Sequence, residues 1–330
     1  MDILQDCSRS AGAFRIQQPA PESGSEKGVL VVSLDGKGVP MRKEHLSVKK
    51  TRLGRGEKNQ KKKISSVSAI YTIDKNIRTA KDILEKPEDG ERGSPPRPCG
   101  KKTGARLGNK SEKEEFIKNV RNDADKRDSG SDRLKVFICD GERFYWTMKE
   151  KYFNEYIGVL DIYHVMEKLW DFSHCFHPEG SPEAKELVTL YLEMLLGGDT
   201  LGCIQFMKEA SGNMKSGKSR KKTINSITGY FERNADNMHY EKYLKSGIPI
   251  GSGNVEAACK NLVKDRMEGC GMRWSISGAD AMLALRAISI NGDLTPYFEY
   301  HIETERKRIY GEIPKWIRAD LTPDGEKLAA

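Results

Sequence analysis

The chain has 330 residues, 37% of them hydrophobic, which suffices for one large core or two modest ones. Its formal charge of +8 is the balance of 56 basic and 48 acidic residues, and a surplus of the same size is concentrated between Arg42 and Lys63, where ten Lys or Arg stand against two Glu. No run approaches the length that crosses a bilayer and the N-terminus carries no apolar signal core, which argues against membrane insertion and secretion. Seven cysteines with no Cys-x-x-Cys pair read as reduced thiols of a cytoplasmic protein.

Residues 1–27 are polar, without helical or strand period, and are expected to form a disordered tail. The run Gly28-Val-Leu-Val-Val-Ser-Leu-Asp35 is β-branched and apolar, as in a central strand covered on both faces, and is expected to end on Asp35 and Gly36. Beyond a basic loop at 42–63, Ile64 to Ile73 is β-rich and suits a strand paired with the first. Residues 85–133, rich in proline and charge, read as an irregular excursion. It holds one short helix, with Ser111 and Glu114 as a capping box ahead of Phe116, Ile117 and Val120. Leu134 to Gly141 then repeats the grammar of the first strand: apolar run, Asp140, Gly141. A further short strand is expected over Tyr156 to Asp161 and an apolar-periodic helix over Ile162 to Phe172. Helical spacing continues from Pro182 to Tyr243, and after the loop Gly247 to Gly253 another helix is expected from about Asn254 to Arg266. The division that follows is an α/β core over 28–181, an all-helical insertion over 182–246, the rest of the core over 247–310 and a tail over 311–330.

Side chains at adjacent strand ends converge on one edge of a sheet, so Asp35 and Asp140 are expected to face each other. Two close carboxylates repel unless cations neutralise them, and such oxygen donors suit Mg²⁺ or Mn²⁺. Glu256, in the first turn of a helix after a glycine loop, is the candidate third carboxylate. Its helix sets Lys260 and Lys264 at i+4 and i+8, a line that could follow a phosphate backbone. Arg266, Arg273 and Trp274 extend that surface with groups that grip phosphates and stack on unpaired bases. Lys37 beside the first Asp, Arg42 and Lys43, then Lys49, Lys50 and Arg52, and finally Lys61, Lys62 and Lys63 add a polycationic face for DNA. Blander readings stand beside these: Asp-Gly as a turn, the Glu-Lys-Lys line as a solvated helix face, and Trp274 as a core residue under the glutamate helix.

Taken together, Val31-Val-Ser-Leu-Asp-Gly-Lys-Gly-Val-Pro-Met41, Asp161-Ile-Tyr-His164, Ile248-Pro-Ile-Gly-Ser-Gly-Asn-Val-Glu-Ala-Ala-Cys-Lys260 and Arg266-Met-Glu-Gly-Cys-Gly-Met-Arg-Trp274 resemble the ISKra family of insertion-sequence transposases, over about residues 28 to 305. The resemblance implies an α/β fold: an RNase H-like mixed sheet with flanking helices and an all-helical insertion before the catalytic-glutamate helix. It also implies an Asp-Asp-Glu triad holding two Mg²⁺ or Mn²⁺ ions for cleavage and transfer of DNA strands. By motif Asp35 is the first acid and Glu256 the third. Asp140 is assigned the second, with Asp161 and His164 in support, and Asp161 is the alternative. Transposon ends and target DNA are the implied partners, with a homo-oligomer on DNA and a bacterial, nucleoid-associated setting. Family members carry a further DNA-binding region before the first strand, where this chain has 27 residues. A hydrolytic RNase H-like nuclease and a truncated, non-catalytic DNA-binding remnant are the alternatives.

Overall fold

In the computed structural model, the described residues are 3–46, 61–85, 95–128, 133–213 and 217–311. The β-branched run after Gly28 forms the central strand, β1 (Val29–Pro40), which pairs antiparallel with β2 (Lys62–Ile73); β2 pairs antiparallel with β3 (Cys99–Arg106). On its other side β1 pairs in parallel with β4 (Leu134–Cys139), and β4 in parallel with β5 (Ile157–Leu160). The order β3-β2-β1-β4-β5 makes a five-stranded mixed sheet. Helices cover both of its faces, an arrangement compatible with an RNase H-like fold. Alternation along β1 divides the core. Val29 and Val31 face one layer of helices, while Leu30, Val32 and Leu34 pack with Phe116, Ile117 and Val120 on the other.

Two helices, α1 (Ile3–Ser8) and α2 (Ala11–Gln17), precede the sheet; α3 (Ala80–Leu84) and α4 (Lys110–Arg127) flank β3, and α5 (Arg143–Tyr152) and α6 (Ile162–Ser173) flank β5. The described residues between Pro182 and Ser246 form the helices α7 (Pro182–Leu196), α8 (Thr200–Asn213), α9 (Lys218–Asn234) and α10 (Tyr240–Ser246), as the helical spacing anticipates. Two tyrosines seat this layer on the last strand: Tyr240 donates to the Leu160 carbonyl at 2.8 Å and Tyr243 to that of Gly158 at 2.9 Å. The glutamate helix begins as α11 (Gly253–Ala258), widens into a π-helical stretch over Cys259–Lys264 and closes with α12 (Asp265–Met267). Finally α13 (Ile276–Ile290) and α14 (Leu294–Tyr310) return along the sheet side and the N-terminal helices.

Four expectations change. Asp35 does not end its strand: β1 continues to Pro40 because β2 runs alongside for its whole length, with Pro40 opposite Lys62. The excursion at 85–133 contains an edge strand, β3, and the long helix α4, whose capping box is Asn109 with Glu112 in place of Ser111 with Glu114. Lys62 and Lys63 belong to β2, so the basic loop is shorter than expected; its residues 47–60, including Lys49, Lys50 and Arg52, lie outside the described residues, as do 312–330 of the C-terminal tail.

The fourth change concerns the N-terminus, where the expected disordered tail is folded onto the C-terminal helices. Phe14 is buried edge-on against Tyr297 with ring centroids 5.3 Å apart. Arg9 pairs with Glu305 at 2.8 Å and Arg15 with Asp123 at 2.6 Å. Glu26 forms an ion pair with Arg127 at 2.9 Å whose side chains are only 2% and 5% exposed. One phenylalanine in a polar stretch leaves no periodic trace, and the partners lie far along the chain, Asp123 and Arg127 on α4 and Tyr297 and Glu305 on α14. Phe14→Ala is expected to destabilise the protein by about 3 kcal/mol, within the range for a buried Phe, seen as a lower urea midpoint. An unchanged midpoint would return residues 3–17 to the status of a loose tail.

Candidate metal centre

Strand register brings the aspartates together. Across the parallel pairs, Leu34 is the Cα partner of Cys139 and Cys139 that of Leu160, so Asp35, Asp140 and Asp161 each follow the last shared row. Asp35 has the parity of Val29 and Val31, and Asp140 that of Val136 and Ile138, all of which line the core beneath the insertion. Both carboxylates therefore rise from the same face. A carboxylate oxygen of Asp35, one of Asp140 and a ring nitrogen of His164 all lie within 4.8 Å of one another, and each of the three residues is half-buried.

Each member is held from behind. The Asp35 carboxylate accepts from its neighbour's amide at Gly36 (2.6 Å) and from the Cys259 thiol (3.2 Å), while the Asp35 carbonyl accepts from the Tyr145 hydroxyl at 3.0 Å. The Glu142 amide donates to Asp140 Oδ1 at 3.0 Å, closing a turn at Gly141. Asp161 is fully buried at the N-cap of α6. Its Oδ2 lies 2.6 Å from His164 Nδ1, and its Oδ1 accepts from the Ser252 amide at 2.8 Å and the Tyr163 amide at 3.4 Å. Ser252 Oγ in turn donates to Glu256 Oε1 at 3.0 Å. Glu256 itself is exposed and stands outside the group of three, joined to it through Ser252 and Asp161.

Three neighbours of the site were not singled out from the sequence. Cys259 reaches Asp35 from the π-helical stretch, and Tyr145 from α5. Tyr230 comes from α9 of the insertion, and its hydroxyl shares a hydrogen bond with the Gly141 backbone beside Asp140. A Cβ at Gly141 would stand 2.1 Å from Tyr230 Cε2, so the glycine after Asp140 makes room for this ring. That glycine was the available signal; the spacing between 141 and 230 offered none.

Basic residues gather at the far end of β1. Met41 bridges to Trp274, the Arg42 amide donates to the Trp274 carbonyl at 2.9 Å, and the Met41 amide to that of Lys61 at 3.0 Å. Arg42, Lys43, Lys61, Lys62 and Arg273 are exposed, while Lys37 and Lys63 are half-buried. Lys62 is paired with Glu268 at 3.0 Å. Lys260, Lys264 and Arg266 are exposed on the glutamate helix, although the π-helical turn between Glu256 and Lys264 breaks the regular i, i+4, i+8 line expected there. Trp274 is half-buried against Val39, Met41 and Met267 in the second core cluster, and its Nε1 donates to the Met267 carbonyl at 3.1 Å. It anchors this corner, in line with the core reading that stood beside the stacking one.

No protein-family model matches the chain, and no curated protein matches it either. All seven cysteines are free, and no helix among the described residues is long and apolar enough to cross a membrane.

Burial raises the Asp140 carboxyl to about 6, helped by the nearby charge of Asp35 and opposed by the Glu142 amide and His164. A carboxyl whose folded value stands above its unfolded one favours the folded state most when protonated. That stabilisation is complete below the unfolded value near 3.8 and is lost as pH rises through about 6. His164 is raised to about 9, first by its hydrogen bond to Asp161, so its contribution is present below 6.5 and is lost as pH rises through about 9. In EDTA, Asp140→Asn is therefore expected to raise the Tm at about pH 7.5 and to change it little near pH 4. A loss of stability at the higher pH would show that the two aspartates do not strain the metal-free fold.

Proposed function

We propose that the chain is a metal-dependent DNA strand transferase with an RNase H-like catalytic core, of the transposase kind that the Gly251-Ser-Gly-Asn-Val-Glu256 and Gly271-Met-Arg-Trp274 motifs resemble. The observation that carries the reading is the convergence of Asp35 and Asp140 from adjacent parallel strands onto one face, with His164 beside them. The donor set of two carboxylates and one imidazole fits divalent ions, and Glu256 stands outside it, exposed on the adjoining helix. Asp35 and Asp140 would hold the ions, and Glu256 would complete the set.

Bound ions supply the charge that activates an attacking hydroxyl and stabilises the leaving oxygen in phosphoryl transfer. The chain's own residues orient the reaction. In cleavage, a water oxygen forms a bond to phosphorus as the bond from phosphorus to the 3′-oxygen breaks, and in transfer the freed 3′-hydroxyl attacks a second strand in the same way. Lys37, two residues beyond Asp35 on β1, and the exposed cations at the β1–β2 end would hold the phosphate backbone, since such contacts position a duplex without reading its sequence.

Asp35→Asn, Asp140→Asn and Glu256→Gln are each expected to abolish divalent-dependent nicking of DNA while leaving DNA binding and fold intact. Nicking that survives all three would end this reading. A strand-transfer assay with pre-cut ends separates the transposase, which joins strands, from a nuclease that only hydrolyses. Replacing Lys61, Lys62 and Lys63 by Ala is expected to lower the slope of log affinity against log salt by up to about 0.9 per lost phosphate contact. An unchanged slope would remove these lysines from the DNA-binding face.

A further inference from the structure

This inference rests on the metal-dependent reading above and concerns which ion the site takes. The group that faces Asp35 and Asp140 is an imidazole, a nitrogen donor among oxygens. Its Nδ1 is committed to Asp161 at 2.6 Å, so Nε2 is the nitrogen left for a ligand. Asp161 cannot turn away to release it. The carboxylate is fully buried, its other oxygen is bound by the Ser252 amide at 2.8 Å, and its own amide donates to the Cys139 carbonyl at 3.0 Å. A carboxylate behind an imidazole is the arrangement that fixes ring orientation and raises basicity in histidines that bind metals. Helix α6 starts at this residue, so His164 is carried one turn along a helix whose N-cap is the same carboxylate.

Magnesium takes oxygen donors in a near-ideal octahedron and dehydrates reluctantly, whereas imidazole suits first-row transition ions. We propose that His164 is a direct ligand of one ion in the Asp35–Asp140 site, with Asp161 as its positioning residue, and that this position takes a first-row transition ion such as Mn²⁺ in preference to Mg²⁺. The same Asp161 reaches Ser252 and, through it, Glu256, so loading of this position is tied to the placement of the glutamate helix.

The test is pulsed electron paramagnetic resonance of the full-length protein loaded with Mn²⁺ alone, with Mn²⁺ and Mg²⁺ affinities measured by titration. The wild-type spectrum is expected to show nitrogen modulation from a coordinated ring. His164→Ala and the milder His164→Asn should abolish it and weaken Mn²⁺ binding more than tenfold, with much less effect on Mg²⁺. Asp161→Asn should weaken Mn²⁺ by roughly 10–100-fold, the usual cost of losing the group behind a metal-binding histidine. Bound Mn²⁺ without nitrogen modulation in the wild type, which requires no variant to fold, would overturn the proposal, as would equal losses for both ions in His164→Asn. If nitrogen modulation is present but no DNA is cut, the enzymatic reading fails while His164 stands as a ligand. If Mg²⁺-dependent cutting proceeds and no modulation is seen, the reverse holds.

Discussion

The parallel register of β1 and β4 forces two carboxylates onto one face at adjacent positions, and the rest of this corner answers that constraint. Backbone hydrogen bonds hold the strands, and the last shared row, Leu34 opposite Cys139, sets Asp35 and Asp140 side by side. Their repulsion and burial register directly at Asp140, whose carboxyl is pushed up to about 6. The His164 imidazole faces them and is raised to about 9 by Asp161 and by the two aspartates. Hydrogen bonds from the Gly36 and Glu142 amides and from the Cys259 thiol satisfy further lone pairs. A pair of like charges arranged this way is costly by itself, and the divalent ions of the proposed function would offset that cost.

Asp161 joins the two halves of the chain that the insertion separates. The segment from Pro182 to Ser246 leaves after α6 and returns at the loop before α11, and both stems meet at this residue: the Ile162 amide donates to the Ile250 carbonyl at 3.0 Å and the Ser252 amide to Asp161 at 2.8 Å. A four-helix excursion therefore leaves the spacing between His164 and the glutamate helix set by one buried carboxylate. The insertion adds to the site as well as spanning it, since Tyr230 covers Gly141 beside Asp140.

What could be read from the sequence divides along the range of the interactions. Strands β1, β4 and β5 were legible because buried parallel strands are short runs of Val, Ile and Leu, and α6 and the insertion because their apolar residues recur at helical spacing. Asp35 and Asp140 stood out as carboxylates that close β-branched runs, although β1 continues past Asp35 to Pro40, and His164 stood out only through the resemblance carried by Asp161-Ile-Tyr-His164. Strand β3, CGKKTGAR, was not: it is an edge strand with two lysines and two glycines, and its pairing with β2 supplies the order that its side chains do not announce. The helical N-terminus was missed for the same reason, since Phe14 finds Tyr297 only in the folded chain. For Trp274 two readings stood together, a ring free to stack and a core residue under the glutamate helix, and its Nε1 hydrogen bond and its packing on the second core cluster favour the second.

The π-helical stretch explains why Glu256 differs from the two aspartates. Val255, Ala258, Leu262, Val263 and Met267 must all face the second core cluster, and Cys259 must at the same time meet Asp35. A wider turn over Cys259–Lys264 accommodates both demands, at the expense of the regular spacing that would line Lys264 up with Glu256. Asp35 is thus fixed within the sheet and Asp140 by the turn that directly follows β4, while Glu256 is set by a short α-helical segment whose first turn is held to the site by Ser252 and whose far end is set by packing. Of the three proposed acids, it is the one whose position can respond to a bound ion without disturbing the sheet.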